Sequence, residues 1–238
     1  MAFLMFKPQR AHHQRVLTAL HALDAAFLAR CECYFGGGTR IVLALDEYRE
    51  SADIDFLCAS RAGYKTLRGT VTDTSLGRIG KTRLKFARDV IADRYGIRTF
   101  LDVDGAKLKL EIILEGRISL GGGMADDLPV PVLDAASCCA EKFLANADRW
   151  NDESTLGRDA IDLAFMAAQW ERAALRTGFS TATEAYGKII ATAARRAATK
   201  LVEQPAWRRR CVAALNISNT RPLLAGLRML AAGKWESN

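Results

Sequence analysis

The chain has 238 residues, half of them apolar and 26% charged, with a net charge of +7. That length suits one or two domains, the composition excludes disorder and collagen-like structure, and every apolar run falls short of the roughly 18 residues needed to cross a bilayer. Lys7 interrupts the opening MAFLMF run before a signal-peptide core develops, so a cytoplasmic protein with no membrane association is expected. From Gln9 to Cys31 apolar residues recur at three and four (Val16, Leu17, Leu20, Leu23, Phe27, Leu28), which predicts one amphipathic helix. Its histidines, His12, His13 and His21, have no Asp or Cys at ligand spacing and read as surface or interface residues. Tyr34 and Phe35 then run into Gly36, Gly37, Gly38 and Thr39, predicting a strand that ends in a glycine turn and reopens as a short helix over Arg40–Leu45. Asp53–Cys58 reads as a second strand, Tyr64–Arg68 as a helical turn and Thr82–Tyr95 as a helix.

Two further strands follow, Arg98–Val103 and Lys107–Leu114, with Asp104 and Gly105 between them as the dipeptide of a tight hairpin. In the second, Leu108, Leu110, Ile112 and Leu114 alternate with Lys107, Lys109, Glu111 and Ile113, giving one apolar and one wet face. Gly121–Gly123 reads as a loop. Beyond the Pro129/Pro131 segment the chain turns Ala-, Leu- and Arg-rich, with helices expected near 134–149, 157–173, 181–201, 205–215 and 221–232. The domain boundary is placed at 133/134, a mixed α+β lobe over 1–133 and a helical lobe over 134–238. From Gly187 onward there are ten Lys and Arg against two Glu, a balance of +8, so the basic excess lies in the last helices. Six cysteines lack a C-x-x-C pair, which argues for reduced thiols and against a zinc site.

Asp53 and Asp55 stand two apart on a strand, so their side chains leave one face about 7 Å apart at Cα. Two carboxylates so close repel, a cost that makes sense if a divalent cation sits between them, and Mg²⁺ is commonly held by one or two carboxylates plus substrate phosphates. Glu111 is the candidate third acid from a neighbouring strand, completing a site able to hold two ions. Gly36–Gly38 allow backbone amides to approach phosphate oxygens, and Thr39 adds a hydroxyl at a helix start. The segment is not a P-loop, because no Gly-Lys-Ser/Thr follows.

A strand, GGT, a short helix, then Asp-Ile-Asp on a second strand resembles the nucleotidyltransferase signature of the DNA polymerase β superfamily. R-x-S-x-D-I-D-F (Arg49, Ser51, Asp53, Ile54, Asp55, Phe56), the downstream Lys142 and Arg149, and the run Arg158, Asp159, Asp162, Leu163 resemble more closely the AbiEii/AbiGii toxin family. The likeness spans roughly residues 34–165. Two departures stand out: GGGT where many superfamily members have Gly-Ser, and Glu111 where Asp is commoner.

The resemblance implies a polymerase β-like α+β lobe, with a small mixed sheet flanked by helices, and a helical lobe behind it. It implies an enzyme moving a nucleoside monophosphate from an NTP to an acceptor hydroxyl with release of pyrophosphate, as the toxin of a toxin–antitoxin or phage-defence pair. By the same resemblance Gly37, Gly38 and Thr39 would hold the triphosphate, Asp53 and Asp55 would bind Mg²⁺ or Mn²⁺, and Glu111 would assist a second ion or take the proton of the attacking hydroxyl; Arg49 and Ser51 are read either as bracing the loop before the acids or as contacting the nucleotide. Lys142 would meet the triphosphate, oriented by Asp159 or Asp162. The expected partners are an NTP, an RNA acceptor such as tRNA and a cognate antitoxin. The cluster Arg195, Arg196, Lys200, Arg208, Arg209 and Arg210 beside Trp207 is the candidate RNA surface. Competing readings are a catalytically inactive nucleotide- or RNA-binding protein of the same fold and a small-molecule, antibiotic-modifying nucleotidyltransferase.

Overall fold

The computed structural model of the protein describes residues 8–82 and 84–235; the opening segment ending at Lys7, read above for a leader, lies outside them. By internal contacts the chain divides into two compact units, Met1–Leu43 with Ser51–Asp134, and Ala44–Glu50 with Ala135–Asn238. The short segment 44–50 therefore leaves the first unit after the glycine-turn helix, is held in the helical unit, and returns at Ser51.

In the first unit the elements run α1 (Ala11–His21), α2 (Ala25–Arg30), β1 (Cys33–Phe35), α3 (Gly37–Ala44), β2 (Ile54–Cys58), α4 (Arg61–Arg68), β3 (Phe86–Ala92), β4 (Gly96–Val103), β5 (Ala106–Leu114), β6 (Gly122–Met124) and β7 (Pro131–Leu133). The strands form one mixed sheet in the order β3-β4-β5-β2-β1-β7-β6, with β2/β5 and β1/β7 parallel. The alternation read from β5 is decisive: Leu108, Leu110 and Ile112 join Ile97 and Leu101 of β4, Ile54 and Phe56 of β2 and Phe35 of β1 on one buried face. Residues of α1 (Val16, Leu20), α2 (Phe27, Leu28) and α4 (Tyr64, Leu67) belong to the same core cluster. Each fully buried Phe contributes roughly 1.5–3 kcal/mol. The polar residues between them are left on the opposite, open face. Asp104 and Gly105 both take positive φ (51° and 77°), the backbone of a type I′ hairpin turn.

Three expectations are corrected. The segment 82–95 is not a helix: Phe86–Ala92 is the outermost strand, paired with β4 through two register irregularities. With only Val90 buried on it, an edge strand shows no apolar period, and its Ala, Arg and Asp imitate a helix. The predicted helix over 9–31 is two helices, because Leu23 makes a bridge to Gly80 and Asp24 caps α2, accepting from the Phe27 amide at 2.8 Å. Gly122–Met124 pairs with β7 as a short strand rather than a loop.

The second unit holds α5 (Ala135–Arg149), α6 (Arg158–Gln169), α7 (Arg172–Tyr186), α8 (Ile189–Glu203), α9 (Pro205–Ala214) and α10 (Thr220–Ala231). Two helices were expected between 157 and 201, and three are present. Trp170, extended at the end of α6, and Gly187 at φ 69° after α7 make the breaks. A Cβ on Gly226 would lie 1.8 Å from the Ala164 carbonyl oxygen, so only glycine permits α10 to cross α6 this closely. Trp235 stacks on Phe143 and meets Phe179 edge-on. All six cysteines are buried and none is in a disulfide. No helix among the described residues is long and apolar enough to cross a membrane.

Candidate active site

The open face of the sheet carries the acids. Ile54 and Phe56 are locked into the core, so the two-residue period of β2 puts Asp55, and Asp53 just ahead of the strand, on the other side. The parallel pairing of β2 with β5 sets Asp55 directly against Glu111, and β4 sets Arg98 directly against Glu111 from the far side. Asp53 is exposed, Asp55 half-buried and Glu111 half-buried.

The glycine turn closes onto these acids. The Gly36 amide donates to the Asp55 carbonyl at 2.8 Å, fixing the turn to β2. Gly37, at φ 65°, starts α3, and a Cβ there would lie 2.4 Å from Asp55 Oδ2. That backbone therefore sits directly against the carboxylate, an approach open only to glycine. The amides of Gly37, Gly38 and Thr39 open the first turn of α3, where backbone donors lack intrahelical acceptors. The Thr39 side chain is fully buried, its hydroxyl 2.8 Å from that of Ser51. Ser51 in turn donates its amide to Nε2 of His13 at 3.3 Å. His13 is fully buried inside the first unit, where a surface or interface histidine was expected. It holds the approach to the acids; its spacing of three, four and seven from Val16, Leu17 and Leu20 is the signal that places it on the buried face of α1.

The donors on this face are hard carboxylate oxygens, and Asp53 and Asp55 beside a glycine turn fit the pair that Mg²⁺ takes together with substrate phosphates. Glu111 is differently placed. Its Oε1 is 3.2 Å from Arg98 Nε and its Oε2 2.5 Å from Lys109 Nζ. Among the described residues no group of three His, Cys, Asp or Glu side chains is arranged to hold a metal ion.

The remaining residues of the sequence signature gather in the helical unit. Arg49, from the segment 44–50, grips Asp162 with two donors, Nε to Oδ1 at 2.7 Å and Nη2 to Oδ2 at 2.8 Å, and gives Nη1 to the Glu50 carbonyl. The Tyr48 hydroxyl donates to Asp162 Oδ1, and its ring stacks on Phe165 at 3.8 Å. Lys142 Nζ stands 2.8 Å from Asp162 and 3.0 Å from Asp159, and Arg149 reaches Asp159 at 2.6 Å. Arg49, Lys142, Asp159 and Asp162 are all 7% exposed or less, a buried network of two carboxylates and three cations with Arg149 at its rim. Arg158 lies outside these pairs.

Burial is the largest single influence on both aspartates and pushes them toward the neutral form. The cations outweigh it, Arg49 and Lys142 at Asp162 and Lys142 and Arg149 at Asp159, so both carboxyls titrate below the ordinary range. Burial likewise disfavours the Lys142 charge, and Asp162 and Asp159 overcome it, raising its pKa. A carboxyl depressed on folding stabilises the native state above its unfolded pKa and ceases to do so as pH falls through the folded value. The urea unfolding midpoint is therefore expected to be level through neutral pH and to drop steadily below about pH 4. A midpoint unchanged down to pH 3 would contradict this.

The basic cluster separates into different tasks. Arg208 donates to the Leu201 and Val202 carbonyls at 2.6 and 2.9 Å, satisfying the C-terminus of α8. Arg195 packs at the end of α10 against Gly233. Lys200 pairs with Glu153 at 2.8 Å and, with Arg210, lies over the Trp207 ring, while Arg196 lies over Trp150. Arg209 is exposed.

Residues 19–217 match the model of the family described as nucleotidyl transferase AbiEii toxin, type IV toxin–antitoxin system. The chain belongs to this family. The AbiEii-family chain is accordingly a nucleotidyltransferase of toxin–antitoxin type. Its fold is similar to the crystal structure of a candidate nucleotidyltransferase from H. pylori, with a TM-score of 0.55 and 16% identity over 98% of this chain and 100% of the other. It is also similar to JHP933 from Helicobacter pylori, with a TM-score of 0.52 and 13% identity over 95% of this chain and 94% of the other. At those identities the likeness speaks for the fold of this AbiEii-family chain alone. No curated protein sequence matches it.

Proposed function

We propose that the protein transfers a nucleoside monophosphate from an NTP to an acceptor hydroxyl, using a divalent cation, Mg²⁺ or Mn²⁺, at Asp53 and Asp55. The observation that carries this reading is the seating of Gly37 against the Asp55 carboxylate, which brings the free amides of α3 and the paired acids to one place. The ion would supply charge neutralisation for the triphosphate. The Gly37, Gly38 and Thr39 amides bind phosphate oxygens, and Thr39, Ser51 and His13 hold the turn in register with the acids. The acceptor oxygen bonds to the α-phosphorus, the bond from that phosphorus to the leaving oxygen breaks, pyrophosphate departs and the hydroxyl proton passes to solvent. Such a transfer needs positioning and electrostatics more than covalent chemistry. Arg49, Lys142, Asp159 and Asp162, whose charges satisfy one another, are assigned to positioning: they anchor the segment that is continuous with α3 on one side and with Ser51 and Asp53 on the other.

For the acceptor we propose RNA, with tRNA the first to try, and for regulation a cognate antitoxin. Arg196, Lys200, Arg209 and Arg210, with Trp150 and Trp207, combine positive charge with aromatic rings as single-stranded nucleic acid surfaces do. Changing Arg196, Arg209 and Arg210 to Gln is expected to reduce the slope of log affinity against log salt by roughly 0.7–0.9 for each phosphate no longer neutralised. Arg208→Gln should instead lower stability. An unchanged slope in the triple variant removes the surface. The reaction itself is tested by incubating the protein with each NTP labelled at its α-phosphate, Mg²⁺ and tRNA, protein and small-molecule acceptors, following both the label and pyrophosphate. Label on RNA supports the proposal, label on a small molecule moves it to the antibiotic-modifying class, and NTP binding without pyrophosphate release makes the protein a binding scaffold.

A further inference from the structure

Across three adjacent strands the register sets Asp55 of β2, Glu111 of β5 and Arg98 of β4 side by side on the open face. Lys109, two residues before Glu111, points to the same face. Each carboxylate oxygen of Glu111 is met by its own cation, Oε1 by Arg98 and Oε2 by Lys109. The acid is the deepest of the three, with 16% of its side chain exposed against 35% for Arg98 and 39% for Lys109, so the cations stand outside it. Arg98 is further tied to Asp93 Oδ2 at 3.5 Å.

Two-metal sites place a second ion beside clustered carboxylates, where it neutralises them and steadies charge on the transferring group. Here that neutralisation is already supplied. A further divalent ion at Glu111 would have to displace a guanidinium and an ammonium and then sit beside both.

On the nucleotidyltransferase reading above, we infer that Arg98 and Lys109 take the place of a second divalent ion beside Glu111, so that the site works with one divalent cation, held by Asp53 and Asp55. The fixed positive charges beside Glu111, the strand neighbour of Asp55, then serve the oxygens of the transferring phosphoryl group, and Glu111 serves to position them. Arg98 and Lys109 thereby become functional residues that the sequence signature does not contain.

Mn²⁺, followed by electron paramagnetic resonance, is titrated into the protein saturated with an NTP analogue that cannot be cleaved between the α- and β-phosphates. One Mn²⁺ per chain is expected, with the same stoichiometry in Glu111→Gln. In the double variant Arg98→Ala/Lys109→Ala a second Mn²⁺ is expected to bind at least about tenfold more tightly than to the wild type, the order of effect that one nearby charge has on a carboxylate. Two Mn²⁺ in the wild type, with one lost in Glu111→Gln, overturns the inference and leaves the nucleotidyltransferase reading standing. No bound Mn²⁺ in the wild type overturns both. The wild-type stoichiometry decides the matter even if the double variant does not fold.

Discussion

Asp162→Ala is expected to lower the unfolding free energy by about 3–5 kcal/mol, the cost of removing one partner from a buried ion pair. Asp162 is fully buried and accepts from Arg49 twice, from Tyr48 and from Lys142. Truncating it leaves a guanidinium at 4% exposure and an ammonium at 7% exposure, with Asp159 the one remaining carboxylate of the network. Tyr48→Phe, which removes one neutral donor and leaves the charges paired, should cost about 1 kcal/mol. Urea unfolding of the two variants separates these values. A loss below about 1 kcal/mol for Asp162→Ala would mean that water enters the network and that burial there is weaker than the structure indicates.

Gly37→Ala is expected to cut transfer activity by about 100-fold or more, the scale of loss that follows an ångström-level misplacement of reacting groups. The added Cβ would lie 2.4 Å from Asp55 Oδ2 and 2.9 Å from Asp55 Cβ, at a φ of 65° that disfavours any L side chain. The strain of that backbone is roughly 1–2 kcal/mol, so the fold should survive while the carboxylate is pushed from its place and the first amides of α3 turn away. Steady-state kinetics beside a thermal melt checks both parts. Near-normal activity in Gly37→Ala would show that the turn and the acid do not work together.

Much of this site is legible in the sequence because its information is local. The alternation from Lys107 to Leu114 gives both faces of β5, the Asp-Ile-Asp spacing puts two acids on one side of β2, and Asp104-Gly105 marks the hairpin. What escapes a sequence reading is set by contacts between distant residues. Arg49 and Asp162 are 113 residues apart, and nothing in the pattern of either segment announces that both are buried. Arg98 reaches Glu111 only through the β4/β5 register, and while the spacing of His13 from Val16, Leu17 and Leu20 puts it on the buried stripe of α1, nothing in that pattern names Ser51 as its partner. The misread strand β3 is a different failure: an edge strand buries so little that composition outweighs periodicity. The cationic run from Arg195 to Arg210 is visible as charge, yet its division into a helix cap at Arg208 and rings covered by Arg196, Lys200 and Arg210 depends on the packing of α8 and α9.

Catalysis on this reading turns on Asp53 and Asp55 placing a metal-bound triphosphate for attack at its α-phosphorus. NTP labelled at the α-phosphate and NTP labelled at the γ-phosphate, each incubated with the acceptor and Mg²⁺, test it most directly, with the exposed Asp53 changed to Asn as the paired variant. Label is expected on the acceptor from the α position alone, and none in the folded Asp53→Asn protein. Transfer from the γ position, or undiminished transfer by Asp53→Asn, would contradict it.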